Sequence, residues 1–269
     1  VYAFDSSTIS LCLKLCPWAK YGKNKGGIKM HTLVDLRGNL PVSVYLTSAS
    51  VNDVKALDDL YIEPSAIYLM DRGYVDFNRL FKLITKKNAF FVTRAKDNML
   101  FEVVSEAEVD KSTGIISDER IKLTGLHTAK WYPEELRMVT YEDYATNKVY
   151  RFLTNNMEYE ALTISELYRE RWNVELYFKW IKQHLHIKSF YGTSENAIYL
   201  QIWIAICTYL LLAYAKKVMH IDQSLHTISK NVGLFLTDKT PLNELFNKAV
   251  PTEETEDWLY PSLFRPDDF

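Results

Sequence analysis

The order of strand-like and helix-like runs constrains the fold of this chain more than any other feature of its sequence. Three alternating apolar runs come first, "VYAFDSSTISLCL", "GGIKMHTLVDL" and "LPVSVYLTSA", separated by the turn signals "YGKNKGG" and "RGN". The short apolar run "SAIYLMD" follows, and a helical pattern after Asp76 then leads to the strand-like "AFFVTRAK". Three strands followed by strand, helix and strand predict an α/β sheet.

The remainder of the chain changes from strand-like to helical patterns. Residues 98–158 contain short strand-like runs and turns, and helical spacing dominates from Thr163 onward. A chain of 269 residues that is 48% hydrophobic and 25% charged can bury a sizeable core. We therefore expect four parts: the first part of a sheet domain in 1–97, a β-rich segment in 98–158, its helical completion in 159–245 and an acidic C-terminal tail in 246–269.

Cysteine usage indicates a reducing compartment. Cys12, Cys16 and Cys207 are too few and too unevenly spaced for a disulfide framework. Zinc binding through Cys12 and Cys16 is disfavoured, because no second compact pair of ligands follows them. The chain begins with Val1 inside a strand-like run, so we expect further sequence upstream; no signal peptide is visible.

One uncharged run, residues 197–215, raises the question of a membrane. Its 19 residues would suffice to cross a bilayer. Gln201, Thr208 and tyrosines interrupt it, so we favour a central helix that is packed on all sides. A membrane-associated protein anchored through this run stays an alternative.

Charge is segregated along the chain although the net charge is only −2. Five lysines and no acid lie between Asp5 and Asp35, and six basic residues and no acid lie between Asp76 and Asp97. The segment from Arg169 to Lys188 is a third basic group. Together they suggest a face that binds a polyanion, although each run taken alone is more often ordinary solvated surface.

Three acids stand out against these patterns. Asp5 lies in the middle of the first strand, and Asp71 ends the fourth strand, where α/β sheets present functional groups. Glu175 lies in "YRERWNVELYFKWIK", which as one helix places Tyr168, Arg171, Glu175, Lys179, Lys182 and His186 in a single stripe between apolar flanks. The alternative is an exposed stripe with a Glu175–Lys179 pair. Convergent carboxylates are hard ligands that suit Mg²⁺ rather than zinc.

These segments resemble a known family. "FDSST", "MDRGY" and "YRERWNVELYFKWIK" are similar to the three acidic motifs of DDE transposases of the insertion-sequence-four group. Tyr168, Arg171, Glu175 and Lys182 match that group's Y-x2-R-x3-E-x6-K signature. The resemblance covers roughly residues 1–245. It implies a ribonuclease-H-like mixed sheet flanked by helices, with a β-rich insertion between the second catalytic Asp and the catalytic Glu. Such proteins usually recognise DNA ends with an N-terminal region, which we expect to lie upstream of Val1, so target specificity is left open.

The resemblance also implies a mechanism. Asp5, Asp71 and Glu175 would be the catalytic residues and would bind two Mg²⁺ ions, for which Mn²⁺ can substitute, with Asp5 bridging both. One ion would activate water and later a 3′-hydroxyl, and the other would stabilise the departing oxygen. The expected reaction is phosphodiester hydrolysis and strand transfer at insertion-sequence ends, by cut-and-paste transposition.

The expected partner is double-stranded DNA, as terminal repeats and as target, bound by a homodimer in a synaptic complex without a membrane. We expect a bacterial cytoplasmic, nucleoid-associated protein. The alternatives are a degenerate DNA-binding protein of the same fold and a structure-selective nuclease. The candidate DNA-binding residues are Tyr168, Arg171, Lys182, Lys179, Arg94, Lys96, Lys29 and Tyr150.

Several of these candidates have a plainer alternative. Arg94 and Lys96 suit backbone binding or ordinary exposed surface. Lys29 shares a strand face with His31, which either approaches the metal site or, as we favour, lies in the core. Tyr150 is placed to stack on a displaced base or, as is more common for a strand aromatic, to pack in the core.

Overall fold

The computed structural model describes residues 1–184, 190–235 and 246. Nine strands of this part form one mixed sheet in the order β3-β2-β1-β4-β5-β9-β8-β7-β6. The strands are β1 (Tyr2–Leu11), β2 (Gly26–Asp35), β3 (Leu40–Ser48), β4 (Ile67–Met70), β5 (Phe90–Arg94), β6 (Phe101–Glu106), β7 (Ile115–Leu123), β8 (Leu136–Asp143) and β9 (Lys148–Thr154). The helices are α1 (Phe77–Arg79), α2 (Thr128–Trp131), α3 (Ala161–Glu170), α4 (Trp172–His184), α5 (Glu195–Val218) and α6 (Leu225–Leu234).

The first five strands confirm the predicted order. β1 pairs antiparallel with β2, and β2 pairs antiparallel with β3, whereas β1 with β4 and β4 with β5 pair in parallel. The predicted helix after β4 begins at Asp76, whose side chain accepts a hydrogen bond from the Arg79 N–H. It continues through a π-helical turn and a 3-10 turn to Asn88, which ends it in the left-handed region at φ 57°.

Helices cover the sheet on both faces. All four residues of β4 are buried, as expected for a central strand of a parallel pair. Tyr68 and Met70 belong to a cluster that includes side chains of α1 and the π turn, whereas Ile67 and Leu69 belong to a second cluster that includes α3. Because neighbouring side chains of a strand point to opposite faces, each face of β4 supports its own core.

The segment 98–158 forms strands β6 to β9, and these strands extend the same sheet. β9 pairs antiparallel with β5 through Val92↔Thr154 and the two next pairs. A buried ion pair joins β7 to β8, since Arg137 Nε and Nη2 each lie 2.7 Å from a carboxylate oxygen of Asp118. The predicted β content is therefore present, and the boundaries of the four predicted parts remain predictions.

The prediction of a single helix from Tyr168 to Lys182 was wrong, because helix α3 ends and helix α4 begins at Arg171. The Arg171 N–H donates to the Tyr168 oxygen at 3.1 Å, and the Val174 N–H donates to the Arg171 oxygen at 3.2 Å. These bonds span three residues, so the backbone tightens between α3 and α4. The stripe therefore does not run along one straight helix, and its last member, His186, lies outside the described residues.

The chain divides into two compact units, Val1–Tyr177 and a second that begins at Phe178. In the second unit, the Trp180 and Tyr209 rings meet edge to face at 5.0 Å. The predicted tail, 246–269, lies outside the described residues except for Phe246.

The sequence had led us to expect that helix α5 is packed on all sides, and this prediction was wrong. The helix buries one side and exposes large apolar side chains on another, namely Leu200, Trp203, Ile204, Leu211, Tyr214 and Val218. By length and composition alone α5 is the one helix of the described residues that is able to cross a membrane, a test that core helices of water-soluble proteins also pass.

Candidate active site

Two aspartates lie side by side because of how β1 and β4 pair. The parallel register pairs Phe4 of β1 with Met70 of β4. Asp5 and Asp71 are the residues that follow this pair, so they lie side by side. Both are partly buried. The Asp71 side chain also accepts a hydrogen bond from the Arg72 N–H at 2.6 Å, which begins the 3-10 turn after β4. This carboxyl edge of parallel strands is where open α/β sheets place their sites.

Arg171 connects Asp5 to Glu175. Its Nη1 lies 3.1 Å from Asp5 Oδ2, and its Nη2 lies 2.8 Å from Glu175 Oε1. The Arg171 side chain is only 14% exposed, against 18% for Asp5 and 33% for Glu175. Burial lowers the pKa of Arg171, but the surrounding acidic groups, including Asp71, outweigh it and leave this pKa above its ordinary value. Arg171 thus bonds two of the three predicted acids, and the charge of the third, Asp71, contributes to raising the pKa of Arg171.

Asp5 is strongly affected by this environment. Burial raises its pKa to about 7, while the Arg171 charge and a hydrogen bond from the Ser6 N–H oppose that rise. The Ser6 N–H lies 2.7 Å from Asp5 Oδ1. Glu175 and Asp71 raise the pKa further, since a second negative charge disfavours ionisation. An additional cation beside Asp5 would therefore favour its ionised form.

The donor types fit a divalent ion, but their arrangement does not yet form a cation site. Carboxylate oxygens are the ligands that Mg²⁺ and Mn²⁺ prefer. Within 1–184, 190–235 and 246, no three His, Cys, Asp or Glu residues are grouped closely enough to hold a metal. Arg171 bonds one oxygen of Asp5 and one oxygen of Glu175. A cation would compete with Arg171 for these two oxygens.

A second polar network lies next to Asp5, and it includes a residue that sequence reasoning missed. Asp53 Oδ1 accepts hydrogen bonds from Ser6 Oγ at 2.6 Å and pairs with Lys29 Nζ at 2.8 Å. Burial by itself would raise the pKa of Asp53, but the hydrogen bonds from Lys29 and Ser6 hold it below its ordinary value. The available signal was Lys29 itself, since a lysine within a buried strand requires an acidic partner.

This network changes the interpretation of Lys29 and His31. Lys29 was expected to bind DNA, but its side chain is 12% exposed and is held by Asp53 and the Val51 oxygen. His31 is completely buried, and its Nε2 lies 3.0 Å from Thr47 Oγ1. Burial lowers the pKa of His31. His31 is thus a core histidine, the alternative that we favoured.

Comparison with known proteins identifies the family. The family described as "Transposase DDE domain" matches residues 1–211. The chain belongs to this family. A putative transposase of Sinorhizobium fredii is 37% identical over 221 residues, which cover 81% of this chain and 61% of the relative. A probable transposase for insertion sequence element IS5377 of Geobacillus stearothermophilus is 29% identical over 243 residues, covering 89% and 63%. The DDE transposase chain thus spans somewhat less than two thirds of these relatives.

A solved structure shows the same fold at low sequence identity. The piggyBac transposase, in a synaptic complex with hairpin DNA, superposes with a TM-score of 0.53 at 15% identity. The match covers 94% of this chain and 57% of that one. This chain and the piggyBac transposase therefore share a mixed α/β fold with a large sheet flanked by helices.

Two tyrosines of the DDE domain that were expected at the DNA interface are buried. Tyr168 is 3% exposed and packs on Phe152 with ring centroids 4.9 Å apart, and burial raises its pKa to about 12. Tyr150 is 2% exposed, stacks with Phe152, and has the Arg94 guanidinium 5.2 Å from its ring centroid. The structure gives no support to base stacking by Tyr150, which packs in the core as the plainer alternative proposed. Arg94 is partly buried.

A cavity of about 570 Å³ lies beside the turn that follows Asp71. Lys96 lines it and donates from Nζ to the Val75 oxygen at 2.9 Å. His127 and Trp131 stack at 5.6 Å in its wall, and Trp131 remains 44% exposed. We did not single out these aromatics from the sequence, although the spacing of four residues in "HTAKW" was available as a signal.

The remaining predicted contacts lie in the second unit. Lys179 is exposed and Lys182 is partly buried, both on α4 after Tyr177. Their contact with DNA stays a prediction.

All three cysteines are free thiols, with Cys12 and Cys207 exposed and Cys16 buried.

Proposed function

We propose that this chain carries the catalytic core of a transposase that hydrolyses and rejoins phosphodiester bonds at insertion-sequence ends, by cut-and-paste transposition. The observation that carries the proposal is that Arg171 bonds both Asp5 and Glu175 while the β1–β4 register places Asp71 beside Asp5. The strand order β3-β2-β1-β4-β5, with only β2 antiparallel to its neighbours, supports a ribonuclease-H-like core. The signature residues support membership of the insertion-sequence-four group.

Asp5, Asp71 and Glu175 are the residues that would hold Mg²⁺ or Mn²⁺. When bound, a pair of divalent ions supplies Lewis acidity that activates the attacking oxygen and stabilises the leaving one. The chain's own contribution is to position these carboxylates and exclude water from Asp5. Arg171 would exchange its contact with Asp5 for phosphate oxygens of the DNA, which suit its planar guanidinium equally well.

The proposed DNA contacts follow from the positions of the basic and aromatic residues. Lys179, Lys182 and Arg94 are proposed to contact the phosphate backbone, where each cation displaces a counterion. Lys96, in the wall of the cavity beside the turn after Asp71, is proposed to contact the DNA backbone. Trp131 of the same wall is proposed to stack on a displaced base, the role for which Tyr150 was the sequence candidate, because the Trp131 ring is accessible. The substrate is proposed to be double-stranded DNA, bound by two copies of the protein in the bacterial cytoplasm.

The decisive test replaces the acid on α4. Glu175→Gln should still bind transposon-end DNA, because the side chain keeps its size, but it should lose Mg²⁺-dependent nicking and strand transfer. Glu170→Gln is the matched control, since Glu170 is exposed and hydrogen-bonds Asn173 rather than Arg171. Nicking by the Glu175 variant at the unmutated rate would refute the assignment.

The ion pairs of Arg171 favour a second candidate function, DNA binding without catalysis. Because Arg171 already pairs with both Asp5 and Glu175, the same geometry suits a degenerate domain that binds DNA without chemistry. A Mn²⁺ titration separates the two functions: the transposase binds the ion and nicks DNA, and the degenerate domain does neither. A structure-selective nuclease would nick DNA but not join the 3′ end to a target.

A further inference from the structure

Among the described residues, the backbone that carries Asp5 has strand neighbours on both sides only up to Phe4. β1 pairs with β4 through Tyr2, Ala3 and Phe4, whereas its pairing with β2 continues to Leu11. The edge of β1 beyond Phe4 therefore lacks the support that β4 gives to the preceding residues. A catalytic carboxylate on such an edge needs another restraint to keep its geometry.

Asp53 supplies that restraint through Ser6. The Ser6 side chain points to the sheet face opposite that of Asp5, because successive residues of a strand alternate. Ser6 Oγ donates to Asp53 Oδ1 at 2.6 Å, while the Ser6 N–H donates to Asp5 Oδ1 at 2.7 Å. The side chain of Ser6 is thus held by Asp53 on one face of the sheet, and the backbone of Ser6 holds the carboxylate of Asp5 on the other.

Asp53 is itself held in place. It begins a 3-10 helix, Asp53–Asp59, that Asn52 caps and that buries Ala56 and Leu57 in the core. Lys29 Nζ reaches from β2 to Asp53 Oδ1 at 2.8 Å and also donates to the Val51 oxygen at 2.7 Å. The helix, β2 and β1 therefore meet at one carboxylate.

We propose that Asp53 is a positioning residue that, through Ser6, fixes the Asp5 carboxylate for cation binding, with Lys29 as its counterion rather than a DNA contact. The consequence for cation binding rests on the proposed function, whereas the restraint on Ser6 does not. Removal of a residue that orients a metal ligand typically weakens metal affinity by about tenfold to a hundredfold.

Amide hydrogen exchange tests the restraint without metal, DNA or activity. In Asp53→Asn and in Ser6→Ala, the amide of residue 6 should exchange at least about tenfold faster, because its backbone is less restrained. Asp58→Asn is the matched control: Asp58 lies on the same 3-10 helix but pairs with Arg79. It should leave that amide unchanged. The buried core amide of Val92 reports global destabilisation.

Exchange at residue 6 that stays at the unmutated rate in both variants would overturn the proposal. So would an equal acceleration in Asp58→Asn or at Val92, since either result means general loosening. Should Asp53→Asn fail to fold, Ser6→Ala decides alone, because it removes only the hydroxyl.

Calorimetric titration with Mn²⁺ alone, without DNA, tests the link to the cation. The dissociation constant should rise about tenfold or more in Asp53→Asn and Ser6→Ala, and the double variant should be no weaker than the worse single variant. The Mg²⁺ concentration for half-maximal nicking should rise in parallel. Accelerated exchange at residue 6 together with no Mn²⁺ binding by the unmutated protein would instead reject the proposed function. Unchanged affinity in a variant with accelerated exchange would reject the role of Asp53 in cation binding.

Discussion

Replacing Asp5 by Asn should stabilise the metal-free protein at alkaline pH while abolishing its activity. Burial raises the pKa of Asp5 to about 7 from an ordinary value of 3.8. Between these values the folded state holds a proton that the unfolded state has released. The contribution of Asp5 to stability is therefore full below about pH 4 and is lost as the pH rises through 7. Asn remains uncharged throughout, so the variant avoids this loss.

The size of the effect follows from the shift in pKa. Each pKa unit corresponds to about 1.4 kcal/mol, so roughly three units make the charged Asp5 carboxylate cost up to about 4 kcal/mol at pH 8. At pH 5 most of that cost is absent, and about 1 to 2 kcal/mol remains. The stability gained on Asp5→Asn should therefore be larger at pH 8 than at pH 5 by about 3 kcal/mol.

Urea denaturation followed by tryptophan fluorescence at pH 5 and pH 8, in EDTA, measures this difference. Glu102→Gln is the control, because it removes an exposed negative charge from β6. Comparing each variant with the unmutated protein at the same pH cancels the contribution of His31. A pH-dependent gain below about 1 kcal/mol for Asp5→Asn would refute the reasoning, since the buried carboxylate would then carry little cost.

Three further predictions concern other parts of the first unit. Asp118→Asn should lower the free energy of unfolding by about 3 to 5 kcal/mol in urea titrations, because it leaves Arg137 buried without its counterion; a loss below about 1 kcal/mol would contradict this. Trp131→Ala should reduce cleavage of transposon ends but change stability little, since its ring is 44% exposed; full cleavage activity would exclude Trp131 from the DNA site. Gly114→Ala should lower the melting temperature, because Gly114 has φ +88° and a Cβ would lie 2.8 Å from a backbone oxygen. Gly38→Ala is its control, with 3.6 Å to the nearest atom, and equal melting temperatures for the two variants would contradict this last prediction.

The strands and the family were accessible from the sequence because their signals are local. Alternation of apolar residues between turn signals indicated β1 to β5 in the correct order, and the Asp76 cap marked the helix between β4 and β5. The three acidic motifs pointed to a DDE transposase, and the matched family confirms it. Local patterns succeed here because the alternation of side chains along a strand and the capping of a helix each depend on residues close in the chain.

The predictions that failed concern surfaces and breaks within elements. The apolar periodicity of 168–182 predicted one helix, because a break of one residue, such as that at Arg171, leaves the periodicity almost unchanged. The uncharged run of α5 was expected to be packed all round, yet hydrophobic composition does not say how many faces a neighbour covers. Tyr150 and Lys29 were named as candidate DNA contacts by residue type, which does not register that Tyr150 is buried and that Lys29 pairs with Asp53.

By itself, the sequence determined which acids this transposase domain carries and which strands and helices present them. Only the tertiary structure decided their partners: Arg171 reaches Asp5 across 166 residues, and Asp53 reaches Ser6 across 47. Such contacts depend on sheet order and on the direction in which each side chain leaves its strand. Pairing between residues so far apart in the chain has no local signal, because it is fixed by how the whole sheet folds.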